Sequence, residues 1–289
     1  MGQNQRGLSS LCRQLGRLDE AQRWLDAAIA TLESIAPGPE LAMAYSMRSA
    51  SYMLTNHRRQ AESWGERAIA LAERFNEHGT IAHALNNIGS ALADDGQARG
   101  FELLQQSLAI AREHNLHDHA SRAYGNASEA SVRNRLLAQS ESLIVPGIAF
   151  ARAHDMDVHV STLVGALVQV RLMQGRLDEA QALSNEAVQA QPVSTASTTT
   201  LITVATVAAT VTMLKDPGAD ASALLTHWAE ALAWQEPDHV VPLALGLAEA
   251  AWLRGDSDAC VAYVRDTVQA CANPTSWDWG ELACWMHRS

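Results

Sequence analysis

Apolar and polar positions along this chain recur with the period of a helix, not of a strand. In ALNNIGSALADD, Ala84 to Asp95, apolar and small residues return three and four positions apart, and RQAESWGERAIALAERF, Arg59 to Phe75, repeats the pattern on one face. A turn separates the two segments, and equivalent turn positions fall at Gly16, Asn56, Gly96, Arg135, Gly175, Lys215 and Gly255, in steps of 40, 40, 39, 40, 40 and 40 residues. The string GRLDEAQ stands at Gly16 to Gln22 and again, letter for letter, at Gly175 to Gln181. Self-similarity at fixed stride marks a stacked array of supersecondary units. The pattern predicts an all-α, right-handed α-solenoid of about seven helix pairs plus a terminal helix, a single array over 1–289, with 277–289 opening a truncated eighth unit.

The grammar inside each unit supports this. Small residues recur where paired helices must approach closely: Ala21 and Ala28, Ala61 and Ala68, Ala180 and Ala187. Glycine or asparagine at the marker suits the left-handed residue that closes a helix. Arg135 and Lys215 do not, so those two turns are expected to use another geometry. Polar links join the units at APGPE (36–40), NLHDH (115–119), DMD (155–157) and QPVSTAST (191–198), and Pro37, Pro39 and Pro192 sit where a helix must stop. TLITVATVAATVTML, 200–214, is β-branched enough to suggest a strand, but its place in the stride predicts a helix.

Composition narrows the function. A net charge of −11 opposes direct nucleic-acid binding and anionic membrane surfaces. The chain opens on a polar stretch, Met1 to Gly7, with no apolar run after it, so the expected compartment is the cytoplasm. Cys12, Cys260, Cys271 and Cys284 are too widely spaced for a metal box and read as small apolar residues. There is no GxSxG, no HExxH and no phosphate loop, Lys215 being the sole lysine. Neither a cofactor nor a metal is expected, and no enzyme. EHNLHDH, Glu113 to His119, superficially resembles a metal cluster but lies at a link, where a solvated loop is the reading. Five tryptophans lie after residue 230 (Trp234, Trp252, Trp277, Trp279 and Trp285), either filling a core between long helices or forming a docking patch.

The glycine turn and the alanine positions resemble the tetratricopeptide repeat in its longer form of roughly 40 residues, across essentially the whole chain. Several strings further resemble the helical region of LuxR-type regulators related to the maltose regulator, which carry a STAND-class ATPase: ELAMAYS (40–46), GERAIALAERF (65–75), HALNNIGSA (83–91), LAEAAWLRGD (247–256) and GELACWMHR (280–288). That resemblance implies a sensor region for an inducer or partner, with ATPase and DNA-binding domains on a longer or partner chain. What it implies is a transcriptional-regulator parent, since only the sensor part has counterparts here.

In tetratricopeptide arrays the first helix of each pair lines a concave groove. Asn87 and Asn126 stand nine residues before their markers, which resembles the asparagine of peptide-clamping repeats. Arg122 stands thirteen before its marker, where such clamps place a base for a carboxylate. Ser46 and Ala50 occupy places where a clamp has a lysine and an asparagine, so half a clamp is present. His83, Asn86, Glu129, Gln169 and Trp252 share the same lining if the helices are phased this way. The expected partner is a protein or peptide ligand. A stand-alone scaffold, or a receptor for an apolar small molecule near Trp252, are the alternatives.

Overall fold

The computed structural model describes residues 1–190, 198–216, 219, 225–226, 228–234, 237–271 and 276–288, and among these every regular element is a helix. The link 191–197 therefore lies outside the described residues. The chain divides into two compact units, Met1–Ala123 and Tyr124–Ser289.

The first unit contains α1 (Gly2–Gln14), α2 (Leu18–Glu33), α3 (Pro39–Leu54), α4 (Arg58–Glu73), α5 (His78–Ala93), α6 (Ala98–Glu113) and the start of α7 (His117–Arg133). Helices pair as α1 with α2, α3 with α4 and α5 with α6, and α3 also packs on both α1 and α5. The pairs meet through small residues, as the alanine spacing predicts: Ala28, Ala61 and Ala68 are fully buried. The Ser9 hydroxyl donates to the Ala21 carbonyl at 2.7 Å, and forty residues on Ser49 donates to Ala61 at 2.6 Å. The repeat is thus one of bonds as well as letters. In the third pair, glycines replace this bond with direct backbone contact. A Cβ on Gly100 would stand 2.2 Å from the Ala93 nitrogen, and one on Gly89 would stand 2.9 Å from the Leu104 nitrogen.

The turns share one geometry. At Gly16, the glycine N–H reaches the Arg13 carbonyl and the next N–H, of Arg17, reaches Cys12, which is the Schellman closure of a helix. Asn56, Gly96, Arg135, Gly175 and Gly255 repeat it, each with positive φ. Arg135, expected to differ, adopts the same turn at φ 60. A non-glycine residue there costs about 1–2 kcal/mol, and the Arg135 side chain offsets that by ion-pairing with Glu281 and donating to the Met173 sulfur at 3.3 Å. Lys215 does not carry a left-handed turn: it is the last residue of its helix, and Pro217 and Gly218 after it lie outside the described residues. The links also close left-handed, at Asn76, Asn115 and Asp155. They are shorter than expected, since α7 begins at His117 and α3 begins at Pro39, where a missing N–H is harmless.

The second unit continues with α8 (Leu137–Ala153), α9 (Asp157–Met173), α10 (Leu177–Ala190), α11 (Thr198–Lys215), α12 (Trp228–Trp234), α13 (Pro237–Leu253), α14 (Ser257–Ala270) and α15 (Ser276–Arg288). The β-branched segment is helical, as its stride predicts. Val204, Thr206, Val207, Thr210, Val211 and Met213 are all buried, so α11 is enclosed on most of its circumference and shows no polar stripe. Near the end, α15 reaches back to the α7–α8 turn: the Trp277 indole N–H donates to Asn134 Oδ1 at 3.1 Å, beside the Arg135–Glu281 pair.

Two substitutions test this packing. Gly100→Ala, which drives a methyl into the Ala93 backbone, is expected to cost about 1–3 kcal/mol by overpacking, read as a lower urea midpoint. Ala68→Trp, at a position with no exposed surface, should abolish the cooperative melt of the first unit. An unchanged curve for either variant contradicts the packing described.

Candidate functional site

In the first unit, helices α1, α2, α3, α5 and α7 enclose a cavity of about 370 Å³. Leu25, Met43, Met47, Ala50 and Leu54 line it from α2 and α3, interspersed with Gln22 and Ser51, while His83, Asp118, His119 and Arg122 form a polar wall from α5 and α7 and Arg13 lines it from α1. The cavity's walls therefore hold two arginines and two histidines against one carboxylate.

Hydrogen bonding on the polar wall settles the orientation of Asn87. Asn87 is fully buried. Its amide nitrogen donates to the Ser46 carbonyl at 2.9 Å, and its oxygen accepts from Arg122 Nη2 at 2.7 Å. A carbonyl cannot donate and a guanidinium cannot accept, so the amide can lie only one way round. The same amide nitrogen stands 3.3 Å from His83 Nδ1, and the Ser46 hydroxyl stands 2.6 Å from it. The amide nitrogen also stands 3.4 Å from the Ser46 hydroxyl, so Asn87, Ser46 and His83 form one network. The His119 ring meets His83 edge-on at 5.8 Å.

Burial, then the nearby charges of Arg122, His119 and Arg6, holds the His83 pKa well below the ordinary histidine range. His119 is lowered as well, by burial first, with Arg122 adding to it and Asp118 opposing. Burial brings the Arg122 guanidinium down to about 10, against the pull of Asp118. Asp118, one turn earlier on α7, is the carboxylate that acts on Arg122. Arg6, Arg48, Arg58 and Arg171 pair with Glu40, Asp26, Asp95 and Glu141.

Three of the residues singled out from sequence, His83, Asn87 and Arg122, thus meet at one wall of one cavity. Asn87 does so as a tie between α3 and α7 and not as a surface group, and Asn86 is likewise buried, at 1% exposure. The other four belong to the second unit. Asn126 and Glu129 are half-buried on α7, and Gln169 is half-buried on α9. Trp252 is 44% exposed on α13, its ring 6.0 Å from Trp285, with Arg288 above both. Trp277 and Trp279 are also exposed, while the Trp234 side chain lies outside the described residues.

Sequence reasoning missed Ser46 and His119. From its place in NLHDH, His119 reads as part of a polar link, but it occupies the first turn of α7. Its neighbours diverge: His114 stacks on His78 at 3.7 Å, and His117 is exposed. Among the described residues no three potential ligands gather for a metal ion, and no helix is long and apolar enough to cross a membrane. Three cysteines are buried and Cys284 is exposed.

No protein-family model matches the chain, and no curated protein matches it in sequence. Solved structures do resemble it. The apo form of RapI superposes with a TM-score of 0.68 over 92% of this chain and 96% of its own, at 12% identity. A Rap protein complexed with Competence and Sporulation Factor superposes with a TM-score of 0.73 over 97% of this chain and 75% of its own, also at 12% identity. The fold is a tetratricopeptide-like helical repeat. At such identity the likeness extends to the fold alone, and the residues of the tetratricopeptide-like cavity have to be argued from their own geometry.

The neutral state of His83 has a measurable consequence. The unfolded chain binds this proton near the ordinary value of 6.5, more readily than the folded chain. Folding stability should therefore fall as pH drops through that value, towards the lower pKa of the folded state. Urea titrations at pH 8 and pH 5.5 should show the drop, and His83→Gln should make it shallower. An equal slope in the variant contradicts the assignment.

Proposed function

We propose that this chain is a non-catalytic sensing module that binds a protein or peptide ligand along the first helices of its repeats. The observation that carries the reading is the cavity of the first unit, where Arg122, held by Asn87, and His83 line a space that also holds Met43 and Met47. A tetratricopeptide-like fold in complex with Competence and Sporulation Factor supports a binding role for this architecture. Asn86, Asn87, Arg122, Asn126, His83, Glu129, Gln169 and Trp252 are the residues proposed to shape the ligand face, Asn87 by holding Arg122 in position. Binding would act by favouring one arrangement of the repeats over another, limited by the difference in affinity between them.

The finer reading is that the module is the cytoplasmic sensor of, or derives from, a LuxR-type STAND regulator. It rests on the quoted strings, from ELAMAYS to GELACWMHR. An ATPase domain encoded in the same reading frame or operon supports it, and a stand-alone gene with no such neighbour favours an adaptor. A second reading, a receptor for an apolar small molecule, is favoured by exposed Trp252 beside Trp285.

A thermal-shift screen of peptides against small metabolites separates these readings, with stabilisation by peptides expected. Arg122→Glu should weaken acidic peptides about tenfold or more, given the strength of charge-assisted hydrogen bonds, measured on variant protein that circular dichroism shows to be folded. Stabilisation by metabolites alone would reverse the order.

A further inference from the structure

Resting on the peptide-binding reading, we propose that Trp252, Trp285 and Glu249 in the second unit form an aromatic site for an arginine side chain of the peptide ligand. In the free protein Arg288 of the same chain holds that place.

The site lies where α15 packs on α13. The Trp252 and Trp285 rings stand edge to face, with centres 6.0 Å apart and planes at 64°. Trp285 packs against the core that α13 and α14 share, which fixes one wall, whereas Trp252 leaves 44% of its surface in solvent. Among side chains, the indole face is the strongest partner for a cation. The Arg288 guanidinium lies 5.1 Å from the Trp285 ring centre and 6.0 Å from that of Trp252, so this pair of rings already accepts a guanidinium. Glu249, one turn before Trp252 on α13, is half-buried and adds a carboxylate. Burial raises its pKa, and the Arg288 charge opposes that.

A cluster in the first unit shows how this chain holds a guanidinium that serves only packing. Arg67 lies 4.2 Å from the Tyr45 ring centre and 4.0 Å from that of Trp64, and it pairs with Glu33 at 3.3 Å. Tyr45 donates to the same carboxylate at 2.7 Å, and both rings are drawn into the core. Arg288 is held less closely. It stands farther from its rings, and among the described residues it makes no ion pair. It is exposed on the last turn of α15, so it can swing aside without disturbing the core. An incoming arginine fits the vacated face because its charge is planar, weakly hydrated and stacks on aromatic rings, whereas the compact lysine ammonium gives up more water for the same contact. The net charge of −11 draws such a cation in.

NMR of the full chain carrying isotope-labelled tryptophan tests the site through the indole N–H signals of Trp252 and Trp285. The probes are the N-acetyl amides of arginine, lysine and citrulline, the last having the shape of arginine without its charge. The arginine probe is expected to bind about fivefold more tightly than either of the others, the strength of a partly desolvated cation–π contact. Arg288→Ala removes the resident guanidinium and is expected to tighten arginine binding, while Trp252→Leu is expected to abolish the preference. Should Trp252→Leu fail to fold, Glu249→Gln is expected to weaken the arginine probe and leave the citrulline probe unchanged. Equal binding of arginine and citrulline, lysine matching arginine, or an unchanged affinity in Arg288→Ala overturns the proposal, as does a preference that survives Trp252→Leu or Glu249→Gln. In those cases, peptides that still stabilise the chain in the thermal-shift screen leave the broader peptide-binding reading standing.

Discussion

Everything in this molecule depends on helices approaching until backbone meets backbone. At Gly89 and Gly100 there is no room for a methyl group, and at Ala28, Ala61 and Ala68 there is room for only that. Close approach brings each helix's side chains within reach of the next pair, so a serine hydroxyl finds a carbonyl twelve residues on, at Ala21 and again at Ala61. Neither helix of a pair buries both of its faces alone, and stacking the pairs supplies what each lacks.

The same approach creates the cavity. Where α5 and α7 come within hydrogen-bonding distance, Asn87 stops being a surface amide and becomes a bracket, gripping Ser46 with one end and Arg122 with the other. A guanidinium held in this way keeps a fixed orientation at the cavity wall, with burial lowering its pKa and Asp118 on the preceding turn opposing that.

The forty-residue stride was legible because its turns need left-handed residues, and glycine and asparagine announce these openly. Arg135 broke the rule because its stabilising partner, Glu281, lies far along the chain, and spacing carries no information about such a pair. The helical nature of 200–214 could be read from its place in the stride, though its β-branched letters pointed elsewhere. Offsets from the markers picked out Asn87 and Arg122. They could not tell that Asn87 is wholly enclosed, because its partners come from other pairs, 41 and 35 residues away. His119 was hidden by a boundary difference of three residues: NLHDH reads as a link through 119, whereas the helix begins at His117.

The contact between α15 and the α7–α8 turn alters what is expected of the second unit. Repeat arrays are held together by neighbours alone, so they can come apart from an end, one helix at a time. Here the Trp277 indole N–H donates to Asn134, 143 residues earlier, and a bond across such a span raises contact order and ties α15 to the α7–α8 turn. Peeling away the terminal helix would also loosen that turn, so amide exchange in α15 should resemble that of the interior and not of a frayed tail.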